Sequence, residues 1–436
     1  MRISLLSKIG FVAISLFFVL SCETADNTAS PNSFVKYFGA EGDQEGVDLV
    51  VNSDGTILLF GNTTLPGETN PKLYLAKSDA NGNLLWELPA FGGPFKNQAR
   101  DIEVASDGRI ILLATSEIAS GDDDILLITT DQNGKELKRV THGYSKFNED
   151  ASSVTQTSDG FIVTGSTTNT IQKANPVDND VRDAFNFRFY NDLTSYPNTW
   201  NETLGPGTFD AGTKMIEVGP GQFYFFGYTN KKPSGQSIIN FNFWIFPVND
   251  VGNGSFDIGE EIFAGDPLVD EKLSSVALSP LQSGEGYLLS GIRTDAAGIS
   301  SIYIAKLRKN LNFLPGQTDQ VFQFPSRALS ADIDFGQLQD IRTASIASVL
   351  SGFLIVSNEN SFGNENFYLT KITNTGADAW ASPKGFVFGG DNSDKIGSLA
   401  ELPDGSILMI GTFSVGDDNQ QKMTLIKVNK SGKFND

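Results

Sequence analysis

One histidine, His142, and one cysteine, Cys22, are all that this 436-residue chain offers to the commonest nucleophilic and metal chemistries. A Ser-His-Asp relay needs a histidine base, and His142, in Arg-Val-Thr-His-Gly-Tyr, would have to serve alone; an ordinary loop position suits it better. Zinc held by histidine and cysteine is excluded by the same count. Carboxylates are plentiful, with 52 Asp and Glu, and a carboxyl pair is the equipment of glycoside hydrolysis. They gather in loop-like stretches: Gly121-Asp122-Asp123-Asp124, Asn148-Glu149-Asp150, Asp178-Asn-Asp180 and Asp391-Asn-Ser-Asp394. Such a set could draw a cation or a basic partner. The same side chains also cap turns by bonding nearby amides, and Lys96, Arg100, Lys146 and Lys395 lie among them. Asp79-Ala-Asn-Gly and Asp131-Gln-Asn-Gly share the opening of a calcium loop but lack its later ligands and closing glutamate, so they read as turns.

The elements that would carry these residues are repeated. "VDLVVNSDGTILLFGN", "DIEVASDGRIILLAT", "SSVTQTSDGFIVTGS" and "SLAELPDGSILMIGT" each set Asp-Gly between two apolar runs, a hairpin signal because both turn residues can take positive φ. "IEVGPGQFYFFGY", "PLQSGEGYLLSGI" and "SVLSGFLIVSN" are weaker copies. The turn glycines Gly55, Gly108, Gly160, Gly221, Gly286, Gly352 and Gly405 are 52 to 66 residues apart. After each hairpin comes a third strand such as Leu73 to Lys77 and a fourth such as Leu84 to Leu88. Seven four-stranded antiparallel units predict an all-β fold, a seven-bladed β-propeller. The irregular stretch Phe324 to Asp340 leaves six or eight units as alternatives.

First strands such as "ASSVTQT" and "KIGSLAE" are rich in small residues, as strands converging on an axis should be. Phe185, Phe187 and Phe189, spaced by two, share one face and should pack blade on blade. Trp86, Trp200 and Trp380 fall at comparable places on fourth strands, where inter-blade packing is favoured over a sugar-stacking platform. The last unit ends after its third strand, while "SFVKYFGAEG" at Ser33 to Gly42 matches a fourth strand with no blade before it. The N-terminal strand is therefore expected to complete the last blade and remove two open edges.

Ahead of that strand, Met1 to Lys8 is basic and Ile9 to Leu20 is apolar but short for a span, ending at Ser21-Cys22, the form of a secretory signal over residues 1 to 21. Val19-Leu20-Ser21-Cys22 resembles the lipobox of bacterial lipoproteins, which implies acyl chains (palmitate) on Cys22 holding the protein at a membrane of the cell envelope, the outer membrane of a Gram-negative cell. Residues 22 to 33 are polar and aperiodic and read as a flexible tether, with the propeller over 34 to 436. The formal net charge is −20, and loss of Arg2 and Lys8 with the leader would make it −22. That excess argues against a nucleic-acid partner, which needs a basic patch.

Lys77-Ser-Asp-Ala-Asn-Gly-Asn-Leu-Leu-Trp86, the Phe91-Gly92-Gly93 after it and the recurrent Ser-Asp-Gly hairpin resemble the repeat of secreted and lipoprotein β-propellers of Bacteroidetes-type bacteria, from Ser33 to Asp436. That resemblance implies fold and envelope location and no particular activity. The Asp-box spacing of sialidase-type propellers and the tryptophan-docking repeats of quinone-cofactor propellers are both missing, and no cofactor is expected. The sequence alone thus favours a non-enzymatic, lipid-anchored binding or scaffolding module for an envelope protein or glycan, with Asp122, Asp123, Asp124, Asp178, Asp180, Asp391 and Asp394 as a candidate acidic rim. The alternative is a glycan-active enzyme with carboxylates at the axis. A cluster of carboxyls converging on the axis would favour the enzyme, and acids dispersed around the rim would favour the binder.

Overall fold

The computed structural model describes residues 33–434 except 170–180, 197–202, 205–208, 231–239, 253–254, 267, 279–285, 299, 309–320, 328–333, 344–351, 362–363, 374–375, 381–384, 391 and 417–418. The signal, Cys22 and nearly all of the tether lie outside the described residues, as do Asp178, Asp180, Trp200 and Asp391. The described residues form seven antiparallel sheets, the blades of a seven-bladed β-propeller; six have four strands and the fourth has an extra short strand, Ile262–Ala264. None of the described residues forms a helix long and apolar enough to cross a membrane.

Each blade begins with a strand that contacts the first strands of both neighbours, so that Asp43–Val51, Asn97–Val104, Glu149–Gln156, Asp210–Gly219, Asp270–Leu278, Asp334–Thr343 and Lys395–Glu401 close a ring. The small residues on these strands permit that convergence. Second and third strands are almost wholly buried because both of their faces meet another blade, as in Ile57–Thr64 and Asp183–Tyr190. Phe185, Phe187 and Phe189 are fully buried and pack with Ile111, Leu113 and Leu127 of the preceding blade, as their spacing predicts.

Ring closure is by the N-terminal strand. Phe34–Phe38 pairs antiparallel with Gln420–Val428, from Phe34 opposite Lys427 to Phe38 opposite Met423, and completes the seventh sheet. A repeated contact explains why this strand fits there. The turn between third and fourth strands carries a glycine over which the fourth strand of the preceding blade lays an aromatic ring. A methyl group on Gly134 would lie 2.9 Å from the Trp86 ring, and one on Gly432 would lie 2.7 Å from the Phe386 ring, with Trp380, which precedes the fourth strand Gly385–Phe388 rather than lying on it, at 2.8 Å. At Gly82 the ring is Phe34, at 2.8 Å, so the latch strand supplies to the first blade what Trp86 supplies to the second. Trp86 and Trp380 are thus packing residues, each half-buried against a core cluster. The Asp-x-Asn-Gly segments are turns: Asp79 Oδ1 accepts the amides of Asn81 (2.9 Å) and Asn83 (2.8 Å), and Asp131 Oδ1 those of Asn133 and Lys135 (both 2.9 Å).

Candidate functional site

The axis is shaped by one device used in blade after blade. Where a first strand passes the centre, its register against the second strand shifts by one residue, at Val47, Arg100, Ser152, Thr213, Ser274 and Gly397. A bulge of this kind re-aims the following side chain and tightens the local twist. The residues that follow are Asp48, Asp101, Ser153, Lys214, Ser275 and Ser398, and with the bulged residues they line a small chamber of about 140 Å³. A second, wider chamber of about 850 Å³ lies toward the Asp-Gly turns, lined by Asp54, Glu103, Gln132 and Glu401 among others. Asp101 and Lys214 line both, so they form the waist between the chambers.

Three of the six described positions after the bulge are charged, and their bonding separates their roles. Asp48 is 5% exposed; its Oδ1 accepts the amide of Leu49 at 2.8 Å and its Oδ2 that of Ile102, in the next blade, at 3.1 Å. Asp101 repeats the pattern one blade on, Oδ2 accepting the amide of Val154 at 2.8 Å. Two residues further along the same strand face, Glu103 Oε2 accepts the amide of Gln156 at 3.0 Å. Burial and the neighbouring Asp48 charge hold the Asp101 carboxyl well above the usual range, and the two carboxyls are hydrogen-bonded to each other. That upward shift favours the protonated form of Asp101 beside a carboxyl held by two amides, an arrangement in which two acids can divide the roles of donor and stabiliser. Burial also raises Glu103, against the opposing pull of Lys214. Among the described residues no group of three or more His, Cys, Asp or Glu side chains is placed to hold a metal ion.

The acids singled out for the rim fall elsewhere. Asp122, Asp123 and Asp124 begin the third strand of the second blade, Asp122–Thr130. Asp122 Oδ1 accepts the Lys146 amide at 3.1 Å, and burial raises the pKa of the other two, that of Asp124 to about 6. Asp124 is 7% exposed and faces Glu149, whose carboxyl burial lifts to about 8; a methyl on Gly143 would lie 2.2 Å from both. These side chains fill the turn that leads into the third blade, which is why glycine stands there. Asp394, in the seventh blade, is fully buried, with Oδ2 on the Gly390 amide (2.7 Å) and Oδ1 on that of Ser414 (2.9 Å). The structure thus gathers Asp122 to Asp124 with Glu149 and leaves Asp394 apart. His142 packs edge-on against Phe187 at 4.6 Å and Phe189 at 5.6 Å, and burial lowers its basicity.

No family model and no curated protein matches the chain. Solved structures of similar fold include a Penicillium chrysogenum α-L-arabinanase (8% identity, 74% of this chain and 91% of that one, TM-score 0.46). A Pseudomonas aeruginosa periplasmic gluconolactonase matches at 10% identity over 81% of this chain and 93% of its own, with TM-score 0.47. The chain spans about half the length (49%) of a Pyrococcus horikoshii acylaminoacyl peptidase, at 12% identity over 84% of this chain and TM-score 0.45. At such identities the likeness concerns the fold. The expectation of a non-enzymatic protein is corrected by the chain's own geometry: carboxyls converge on the axis, the very feature set against that expectation.

Proposed function

We propose that the protein acts on a carbohydrate bound in the axial channel, by acid–base chemistry carried by Asp101 and Glu103. The observation that carries this reading is the paired Asp48 and Asp101 carboxyls at the waist of a channel wide enough for sugar rings, where burial and the neighbouring Asp48 favour the protonated form of Asp101. Asp101 gives its proton to the glycosidic oxygen as the bond from that oxygen to the anomeric carbon breaks. Asp48, fixed by two amides, stabilises the positive charge that develops on the sugar. Glu103, with only Oε2 engaged by Gln156, takes a proton from the water that attacks the anomeric carbon. Asp101 and Glu103 are two residues apart on one strand and so share a face, as an acid and a base acting on one bond should. We propose also that acylated Cys22 tethers the body at the cell envelope, a reading supported by the residues before it.

The test is a panel of oligosaccharides and aryl glycosides scored for new reducing ends, with D101N and E103Q beside the parent protein. Either substitution keeps an acceptor for its amide partner and should lower turnover by about 10²–10⁴-fold. Cleavage by both variants at the parent rate would overturn the assignment.

A further inference from the structure

Three consecutive blades each set an unengaged donor on the small chamber, and the acid–base group uses none of them. Ser152, Lys214 and Ser274 stand at or just after the bulges in the first strands of the third, fourth and fifth blades. Among the described residues the Lys214 ammonium makes no hydrogen bond or ion pair, and neither serine hydroxyl has a hydrogen-bond partner. The hydroxyls beside them are engaged: Ser153 Oγ donates to the Thr213 carbonyl at 2.9 Å and Thr213 Oγ to that of Leu273 at 3.1 Å, each in the next blade. So are the other charged side chains of this chamber. Arg100 is held by Asp150, Asp48 by the amides of Leu49 and Ile102, and Asp101 by that of Val154. The Lys214 charge reaches Asp101 and Glu103 and opposes the rise of their carboxyls, but it forms an ion pair with neither.

Resting on the carbohydrate reading above, we infer that the sugar spanning the waist carries a carboxylate, which sits in the small chamber on Lys214 Nζ with the Ser152 and Ser274 hydroxyls on either side. A carboxylate has acceptors only, two oxygens with about four lone-pair positions, and so answers three donors that have nothing else to bond. A sugar hydroxyl could accept from any one of them but would leave the ammonium charge unanswered. An amino sugar would set a second cation against Lys214. The small chamber, about 140 Å³, has the room of about five water molecules, enough for a carboxylate and its link to a ring but short of a whole hexose. The ring then lies in the wide chamber, and Asp101 and Lys214 meet it at the boundary between the two.

Calorimetric titration of the full chain with tetramers of α-1,4-linked galacturonate and β-1,4-linked glucuronate, each beside its methyl ester, tests the inference, because esterification removes the charge and keeps the shape. At least one acid should bind at least tenfold more tightly than its ester. The net charge of −20 on the chain works against an acid, so long-range attraction cannot produce that preference. K214M, similar in length and uncharged, should bind acid and ester alike, whereas K214R should keep the preference. The double variant S152A/S274A, which leaves the charge in place, should narrow the acid's advantage several-fold, and scanning calorimetry checks that all three variants stay folded. An ester bound as tightly as its acid by the parent protein, or a preference that survives in K214M, would overturn the inference. Binding of none of the four sugars, with neutral glycosides still cleaved, would overturn it and leave the carbohydrate reading in place. Binding of none together with no cleavage across the glycoside panel would remove both readings.

Discussion

Truncating Phe38 to alanine probes the closed ring at its seam. Phe38 is 4% exposed and packs with Met423 and Leu425 of its own blade and with Tyr74 and Ile57 of the first blade. Loss of a buried Phe ring costs about 3–5 kcal/mol, since transfer and cavity costs add. Unfolding entropy near 2.1 cal/mol/K per residue gives about 0.8 kcal/mol/K for a body of about 400 residues, so F38A should lower Tm by about 4–6 °C. Removing Phe34 to Phe38 entirely takes away both buried rings and the five-residue ladder, and should lower Tm by about 8–12 °C on the same scale. Tyr37 is the internal control. It sits between them on the opposite face, 53% exposed, and Y37A should stay within about 0.5 kcal/mol of the parent protein. Scanning calorimetry at neutral pH reads all three. If F38A and the deletion melt with the parent protein, the strand contributes nothing to closure and the shared-blade reasoning fails.

Two other outcomes follow from buried or sequence-encoded groups. Glu149 has its carboxyl raised to about 8 in the folded protein, above an ordinary 4.5, so its proton stabilises the fold fully below about pH 4.5. That stability is lost as pH rises toward 8, so Tm should fall between pH 5 and pH 8, and E149Q should flatten the fall; a slope identical in the variant would contradict it. Cys22→Ala, expressed with its leader in a Gram-negative host, should move the protein from the membrane fraction to the soluble one and abolish palmitate labelling. Retention on membranes would contradict the anchor.

The fold was legible in the sequence because its signals are local and repeated. Asp-Gly turns and third-to-fourth-strand turns recur at a near-constant interval, and each is set by neighbours within a few residues. The latch was legible for the same reason: Ser33 to Gly42 has the form of a fourth strand and its blade was missing. The axial group was not legible, because it is assembled from single residues in different repeats. Asp48, Asp101, Glu103 and Lys214 sit in the segments "GVDLVV", "RDIEVA" and "GTKMIE", in which no single residue type marks the axial position in every repeat as a motif would. The signal was present in another form. When the first strands are aligned on their bulges, the residue after the bulge is Ser in three described blades, and Asp48, Asp101 and Lys214 stand out as charges in that column. The acidic stretches drew attention by density instead. Density reflects turns, whose carboxylates answer backbone amides, as Asp394 does with Gly390 and Ser414.

Sharing one blade between the two ends of the chain also sets the order in which the protein can mature. Phe34–Phe38 has no strand to pair with in its sheet until Gln420–Val428 has been synthesised. An unfinished chain is therefore an open arc with two bare edges. Locking of the ring waits on complete synthesis, and the chain stays exposed to proteases and to neighbouring copies until the final strand arrives.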